Sequence, residues 1–117
     1  MEKQEFRNCD PWEGYRVEDI DKLPLEEVYS VYETLVVFFA PRFRLFVERV
    51  EDCGATPDEL EWKEWHGILK KIQSAFDLME RETYNLGASP EAFTKEEFAQ
   101  INEGLALLSK WFFHLWY

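Results

Sequence analysis

The most constraining feature of this sequence is an apolar stripe near its carboxyl end. Large apolar residues recur there at alternating intervals of 3 and 4, which places them on one side of an α-helix. Thr94 and Glu97 stand at its start in the pattern of a capping box, in which each side chain accepts a hydrogen bond from the other's backbone N–H. Such a helix needs partner helices to cover its stripe, which consists of Phe98, Ile101, Leu105, Leu108, Phe112 and Leu115.

Two further helices are predicted upstream. The first begins at Pro24, which suits the first helical position, and ends before Gly54, which tolerates the left-handed backbone of a helix end. Pro41 lies inside this helix and predicts a kink near Phe39. The second begins at a further capping box, Thr56 to Glu59. The predicted fold is all-α, an antiparallel three-helix bundle with helices at about 24–51, 57–82 and 95–116.

Both upstream helices carry an apolar stripe of their own, which we expect in the shared core. On the first helix the stripe consists of Val28, Tyr32, Leu35, Phe39, Phe43, Phe46 and Val50. On the second it consists of Leu60, Trp65, Ile68, Leu69, Ile72, Ala75, Phe76 and Met79.

The remaining segments are an arm and a connection. Residues 1–23 are polar and aperiodic and predict an irregular acidic arm, with 24–117 forming a single helical domain. Trp12 and Tyr15 lie in the middle of the arm, and we expect this part to lie against the helices. The connection at 83–93 is rich in turn residues and predicts one short helical turn at 89–91.

Charge and composition exclude several classes of function. The chain has 13 basic and 24 acidic residues and a net charge of -11, which disfavours direct binding of nucleic acid. The carboxylates could attract a protein partner with a basic, nucleic-acid-binding surface, although solubility is the simpler explanation. The longest apolar stretch, at 35–41, is too short for a membrane span, and the first residues do not resemble a secretory signal. Cys9 and Cys53 lack metal-ligand spacing, so a cytoplasmic protein with reduced thiols is expected.

Catalytic and metal motifs are missing from the sequence. The two histidines, His66 and His114, have no Glu-x-x-His or His-x-x-x-His spacing, although the antiparallel topology allows them to lie near each other. Phosphate-binding loops, nucleophile elbows and cysteine–histidine pairs are not found either. We therefore expect a protein that is not an enzyme and has no catalytic residues, metal or cofactor.

Acidic residues crowd the junction of the first two helices. Asp58, Glu61 and Glu64 are the candidates here for binding a partner, as a negative surface that mimics a row of phosphates. The favoured explanation needs no function, because acids stabilise the positive end of a helix dipole.

A second candidate surface is the aromatic carboxyl end. Trp111, Phe113 and Tyr117 cannot all share the stripe of the last helix at 100° per residue. Three covers remain open for them: the arm with Trp12 and Tyr15, a second copy in a homodimer, or a foreign partner. Since exposed tryptophan and tyrosine are common in binding surfaces, all five aromatic residues are candidates for binding a partner.

Three blocks of the sequence, Phe39 to Phe46, Trp62 to Phe76 and Gln100 to Trp116, resemble a group of small helical proteins of tailed phages and prophages. The resemblance covers about residues 28–117. It implies a viral origin and a place in the host cytoplasm. It supplies no catalytic residues.

The sequence therefore leads to two hypotheses of function. The first is a non-enzymatic phage-type protein that binds a host or phage protein, in one version as an inhibitor of a host nuclease or of a CRISPR-type anti-phage defence system. The alternative is a phage assembly or replication accessory protein that acts through homo-oligomerisation.

Overall fold

A computed structural model of the chain describes residues 11–83 and 90–117, and over those residues the protein is all-α. The predicted fold class is confirmed. The chain divides into two compact units, Met1–Ser30 and Val31–Tyr117. Two details of the sequence analysis, Cys9 and the turn residues at 84–89, lie outside the described residues.

The first unit contains short helical turns. Two 3₁₀ turns, Glu13–Tyr15 and Ile20–Lys22, precede the one-turn helix α1, Glu26–Tyr29. Ser30 then leaves the helical region, with φ of -137° and ψ of 85°. The long helix therefore starts at Val31 and not at Pro24, because the turn that begins at Pro24 ends within this unit.

The second unit contains three long helices: α2 at Val31–Cys53, α3 at Trp62–Thr83 and α4 at Lys95–Trp111. Helix α2 continues through Pro41, where the guanidinium of Arg42 donates to the Phe38 carbonyl oxygen at 2.9 Å. The kink near Phe39 stays a prediction.

Two of the predicted helix ends are confirmed in atomic detail. Gly54 follows α2 with φ of 69°, and its N–H donates to the Val50 carbonyl oxygen at 2.7 Å, so it is the left-handed cap that was expected. Thr94 and Glu97 form the complete capping box of α4. The predicted turn in the connection is present as a 3₁₀ turn at Pro90–Ala92.

Two other helix ends differ from the prediction. Helix α3 begins at Trp62 and not at Pro57, because residues 57–60 form a separate turn. The Glu64 carboxylate, in the first turn of α3, accepts a hydrogen bond from the N–H of Glu61 just before the helix. Helix α4 ends at Trp111 and not at Trp116. Its last turn tightens into a 3₁₀ turn, Phe112–His114.

Helix α3 is the centre of the second unit, and α2 and α4 both pack against it. The contacts run antiparallel. From α2 to α3, Arg44 reaches Asp77 while the later Glu51 reaches the earlier His66. From α3 to α4, Arg81 reaches Glu97 while Lys71 reaches Glu103. These contacts show the predicted up, down and up topology among the described residues of 31–117.

The core confirms the predicted stripe of α3 and corrects those of its neighbours. On α3 the fully buried residues are Trp65, Leu69, Ile72, Ala75, Phe76 and Met79. On α2 they are Val36, Ala40, Phe43, Val47 and Val50, a face rotated away from Tyr32 and Leu35, which are exposed. On α4 they are Ile101 and Gly104, while Phe98, Leu105 and Phe112 of the predicted stripe are exposed.

Gly104 explains why the stripe of α4 was misread. A Cβ atom at this position would lie 2.3 Å from the Cβ of Ala75 and 2.9 Å from the carbonyl oxygen of Lys71. The two small residues therefore let α4 lie against α3 at backbone distance. A periodicity analysis identifies a buried face from large apolar side chains and ignores glycine. It therefore predicted a contact face that did not include Gly104.

Ion pairs tie the edges of the packed helices together. Arg44 of α2 bonds both Asp77 at 2.8 Å and Glu80 at 2.7 Å on α3. Arg81 of α3 bonds Glu97 of α4 at 2.9 Å. The Arg81 guanidinium, with the backbone N–H of Thr94, lowers the pKa of Glu97 to about 2. Among the described residues, no helix has the length and apolar character needed to cross a bilayer.

Candidate functional site

Both candidate surfaces of the second unit lie at one end of it. Because α3 starts where α4 finishes, the connection between α2 and α3 meets the carboxyl-terminal segment of the chain. The indole of Trp65, near the start of α3, packs edge-on against the indole of Trp111 with ring centroids 5.7 Å apart. We call residues 54–64 together with 111–117 the aromatic–acidic end.

A cavity of about 80 Å³ lies between these two segments. Trp65 forms its floor and is only 2% exposed, whereas Trp116 forms its outer wall and is 72% exposed. The cavity is the direct sign that the connection and the carboxyl end face each other. Its lining consists of Ala55, Thr56, Pro57, Trp65, His114 and Trp116.

The connection has a defined local structure. After the left-handed Gly54, the Thr56 hydroxyl donates to the Gly54 carbonyl oxygen at 3.0 Å, and the Leu60 N–H donates to the Pro57 carbonyl oxygen at 3.0 Å. Thr56 is thus bonded backwards to the end of α2 and does not cap α3. This turn brings Thr56 and Pro57 to the wall of the cavity.

The three acidic candidates are brought together in or next to this connection, and all are exposed. Glu64 has a local task, since its carboxylate accepts the Glu61 N–H at 3.2 Å and so helps to begin α3. Among the described residues, no basic side chain forms an ion pair with Asp58 or Glu61. Helix stabilisation therefore accounts for part of the acidic cluster and leaves two carboxylates facing water.

The aromatic candidates of the carboxyl end are divided by the structure. Trp111 is half-buried and belongs to the edge of the core. Phe113 is 87% exposed, and Tyr117 is also exposed although its ring lies 5.9 Å from that of Phe46 on α2. Trp116, which the sequence analysis did not single out, is an exposed member of the same group. Trp116 is exposed because it lies beyond the end of α4, where helical periodicity no longer predicts which side chains are buried.

The remaining two candidates, Trp12 and Tyr15, lie in the first unit. Trp12 precedes the 3₁₀ turn Glu13–Tyr15 and Tyr15 is its last residue; their ring centroids are 6.2 Å apart, and both side chains are exposed. That the arm lies against the helices stays a prediction.

The histidines have separate surroundings. The Nε2 atom of His66 lies 2.6 Å from a carboxylate oxygen of Glu51, and the His66 ring is stacked on Trp62. His114 packs edge-on against Trp111 with ring centroids 5.2 Å apart. Within the described ranges, no three metal-ligating side chains gather at one point.

A second exposed apolar surface was missed by the sequence analysis. Val31, Leu35, Phe38 and Leu45 project from the face of α2 that is turned away from α3. The guanidinium of Arg42 covers the Phe38 ring at 3.8 Å from its centroid. Two interleaved stripes on one helix blur the periodicity, which explains why the buried one was not separated from the exposed one.

Comparison with protein families, with curated proteins and with solved structures gives no match for this chain.

Proposed function

We propose that this chain is a non-enzymatic protein that binds a protein partner with a basic surface, and that it does so through the aromatic–acidic end. The observation that supports the proposal is the juxtaposition at one end of the second unit. Exposed aromatic rings stand there beside carboxylates that form no ion pair among the described residues.

Each half of this surface has a physical role in binding. Exposed tryptophan and other aromatic side chains supply large, rigid contact area and are common among the residues that dominate binding energy. Carboxylates that face a basic partner accelerate the encounter and fix its orientation. The net charge of -11 adds a long-range attraction toward a basic protein and a repulsion from phosphate groups.

A narrower version of the proposal concerns the kind of partner. If the chain is of phage type, as its resemblance to tailed-phage and prophage proteins suggests, the partner would be a host or phage protein. A host nuclease or a CRISPR-type defence protein has a basic surface for nucleic acid, and the carboxylates of the aromatic–acidic end would occupy it. The protein would then act in the host cytoplasm as an inhibitor.

The alternative function is homo-oligomerisation in phage assembly or replication. The exposed rings of Phe112 and Phe113 favour it, because their contact in a second copy would remove apolar surface from water. The charge of -11 on each copy opposes it.

The test of the proposal is quantitative co-purification from a nuclease-treated bacterial host lysate. One bait is a variant that neutralises the connection, Asp58→Asn, Glu61→Gln and Glu64→Gln, in which the amide oxygen introduced by the third substitution still accepts the capping bond. A matched control removes the same charge elsewhere, at exposed residues Glu26→Gln, Glu48→Gln and Glu96→Gln. The wild-type and control baits should retain the same basic protein, which the connection variant should lose by about tenfold or more at low salt.

Equal recovery by all three baits would contradict the proposal. Sedimentation of the purified wild-type protein separates the alternative. A defined oligomer that Phe113→Gln converts to monomer, without loss of helical structure, would support homo-oligomerisation and remove the need for a foreign partner.

A further inference from the structure

The cavity of the aromatic–acidic end adds chemical detail to the proposed partner. We infer that it binds the guanidinium group of an arginine side chain that the partner presents. This inference rests on the proposed function, because it names the group of the basic partner that the same surface recognises.

The surroundings of the cavity favour a cation. Trp65 and Trp116 both line it, and tryptophan is the aromatic side chain that attracts cations most strongly. The next residue after the lining residue Pro57 is Asp58, an exposed carboxylate. A phosphate or carboxylate ligand would be repelled by the net charge of -11 on the chain, so an anion is disfavoured.

The shape of the cavity favours arginine over lysine. A cavity needs roughly 10–15 Å³ to hold one water molecule, so about 80 Å³ has room for the carbon and nitrogens of a flat guanidinium. A guanidinium stacks on an indole face and is less strongly hydrated than the ammonium of lysine, so its transfer from water costs less. The methylene stem of the arginine would then lie along the exposed ring of Trp116.

The cavity also offers a hydrogen-bond acceptor. The Thr56 hydroxyl uses its proton in the bond to the Gly54 carbonyl oxygen, so the lone pairs of its oxygen remain to accept. A guanidinium carries N–H donors around its edge, and one of them can meet this oxygen while the flat face rests on an indole. A lysine ammonium that donates to the same oxygen has no flat face to stack on an indole.

The experiment is a titration of the isotope-labelled full chain with hexa-arginine, hexa-lysine and hexa-citrulline peptides, followed by NMR at the indole N–H signals. Citrulline has nearly the shape of arginine and no charge. Hexa-arginine should shift the signals of Trp65 and Trp116, with an affinity about tenfold higher than that of hexa-lysine. Hexa-citrulline should leave both signals in place.

Two variants locate the binding. Trp116→Ala removes an exposed side chain, so the fold should persist, and it should abolish the preference for hexa-arginine over hexa-lysine. Leu45→Ala removes an exposed apolar side chain on the face of α2 that is turned away from α3, and it should leave that preference unchanged. The amide spectrum of each variant verifies that it is folded.

The outcomes separate the cavity from the proposed function. One outcome is that both cationic peptides bind equally well and shift signals of the acidic connection but not those of Trp65 and Trp116. The cavity is then not an arginine site, and the proposal that the chain binds a basic partner is still supported. If neither peptide binds at low salt, the basic partner is contradicted as well.

Discussion

Helices α3 and α4 use their apolar residues in opposite ways. The stripe of α3 is buried along its whole length, because α2 covers one side of it and α4 the other. On α4 the residues in closest contact are Ile101 and the small Gly104, while Phe98 and Leu105 remain partly exposed. A middle helix has its apolar stripe covered from both sides, whereas an outer helix keeps apolar surface that a partner can cover.

The largest expected effect follows from this difference. Leu69→Ala opens a cavity at a site on α3 that is 0% exposed, and it should lower the free energy of unfolding by about 2–5 kcal/mol. Leu105→Ala makes the same chemical change on α4, where the side chain is 39% exposed, and should cost less than about 1 kcal/mol. Urea unfolding of the two variants measures both. Equal losses would show that the stripe of α4 belongs to the core after all.

The next effect concerns the close approach of α3 and α4. Gly104→Ala places a methyl group against Ala75 and the Lys71 carbonyl, and overpacking of this kind costs about 1–3 kcal/mol, more than alanine's gain in helix propensity returns. Gly67→Ala is the matched control, because its Cβ would meet nothing within 4 Å. That variant should be stabilised by up to about 1 kcal/mol.

A thermal unfolding comparison of the two glycine variants decides the sign of each effect. Adding Ala75→Gly to the Gly104→Ala variant should recover part of the loss, since it removes the nearer of the two contacts. A stabilised Gly104→Ala variant would mean that α4 does not approach α3 at this point.

Particular residues show how far sequence reasoning reaches in this fold. Thr94, Glu97 and Gly54 were identified correctly, because capping depends on a few adjacent residues. The capping box predicted at 56–59 was wrong, because its threonine hydroxyl bonds back to the Gly54 carbonyl oxygen. The buried stripe of α3 was correct, since nearly every large apolar residue of a middle helix is used. The faces of α2 and α4 were correct only in part: some of the predicted residues of each helix lie in or against the core and others are exposed. The choice among several apolar faces depends on where a small residue permits contact.

The same distinction applies to the candidate site. The acids of the connection and the aromatic carboxyl end are visible as local composition, and the antiparallel topology already places them at one end. The cavity was not predictable. It depends on the turn from Gly54 to Leu60 and on the 3₁₀ turn after Trp111, both outside regular helices, where periodicity carries no information.

A smaller effect is expected from pH at the contact between the two helices. Glu97 has a pKa of about 2 in the folded protein, below its value of roughly 4.3 in an unfolded chain. The unfolded state therefore binds more protons between these values, so Glu97 contributes stability above about pH 4.3 that is lost as the pH falls through 2. Glu97→Gln should flatten the rise of stability with pH in this window. An unchanged slope in urea unfolding measured from pH 2 to 5 would contradict the ion pair with Arg81.

The most direct test of this account is the stability of one variant, Phe98→Gln, Leu105→Gln and Phe112→Gln. We predict a free energy of unfolding within about 1.5 kcal/mol of the wild-type value, because each side chain is at least partly in water and such substitutions cost about 0.5 kcal/mol each. A loss of several kcal/mol in urea unfolding would place these residues in the core. It would also mean that α4, like α3, leaves no apolar surface for a partner to cover.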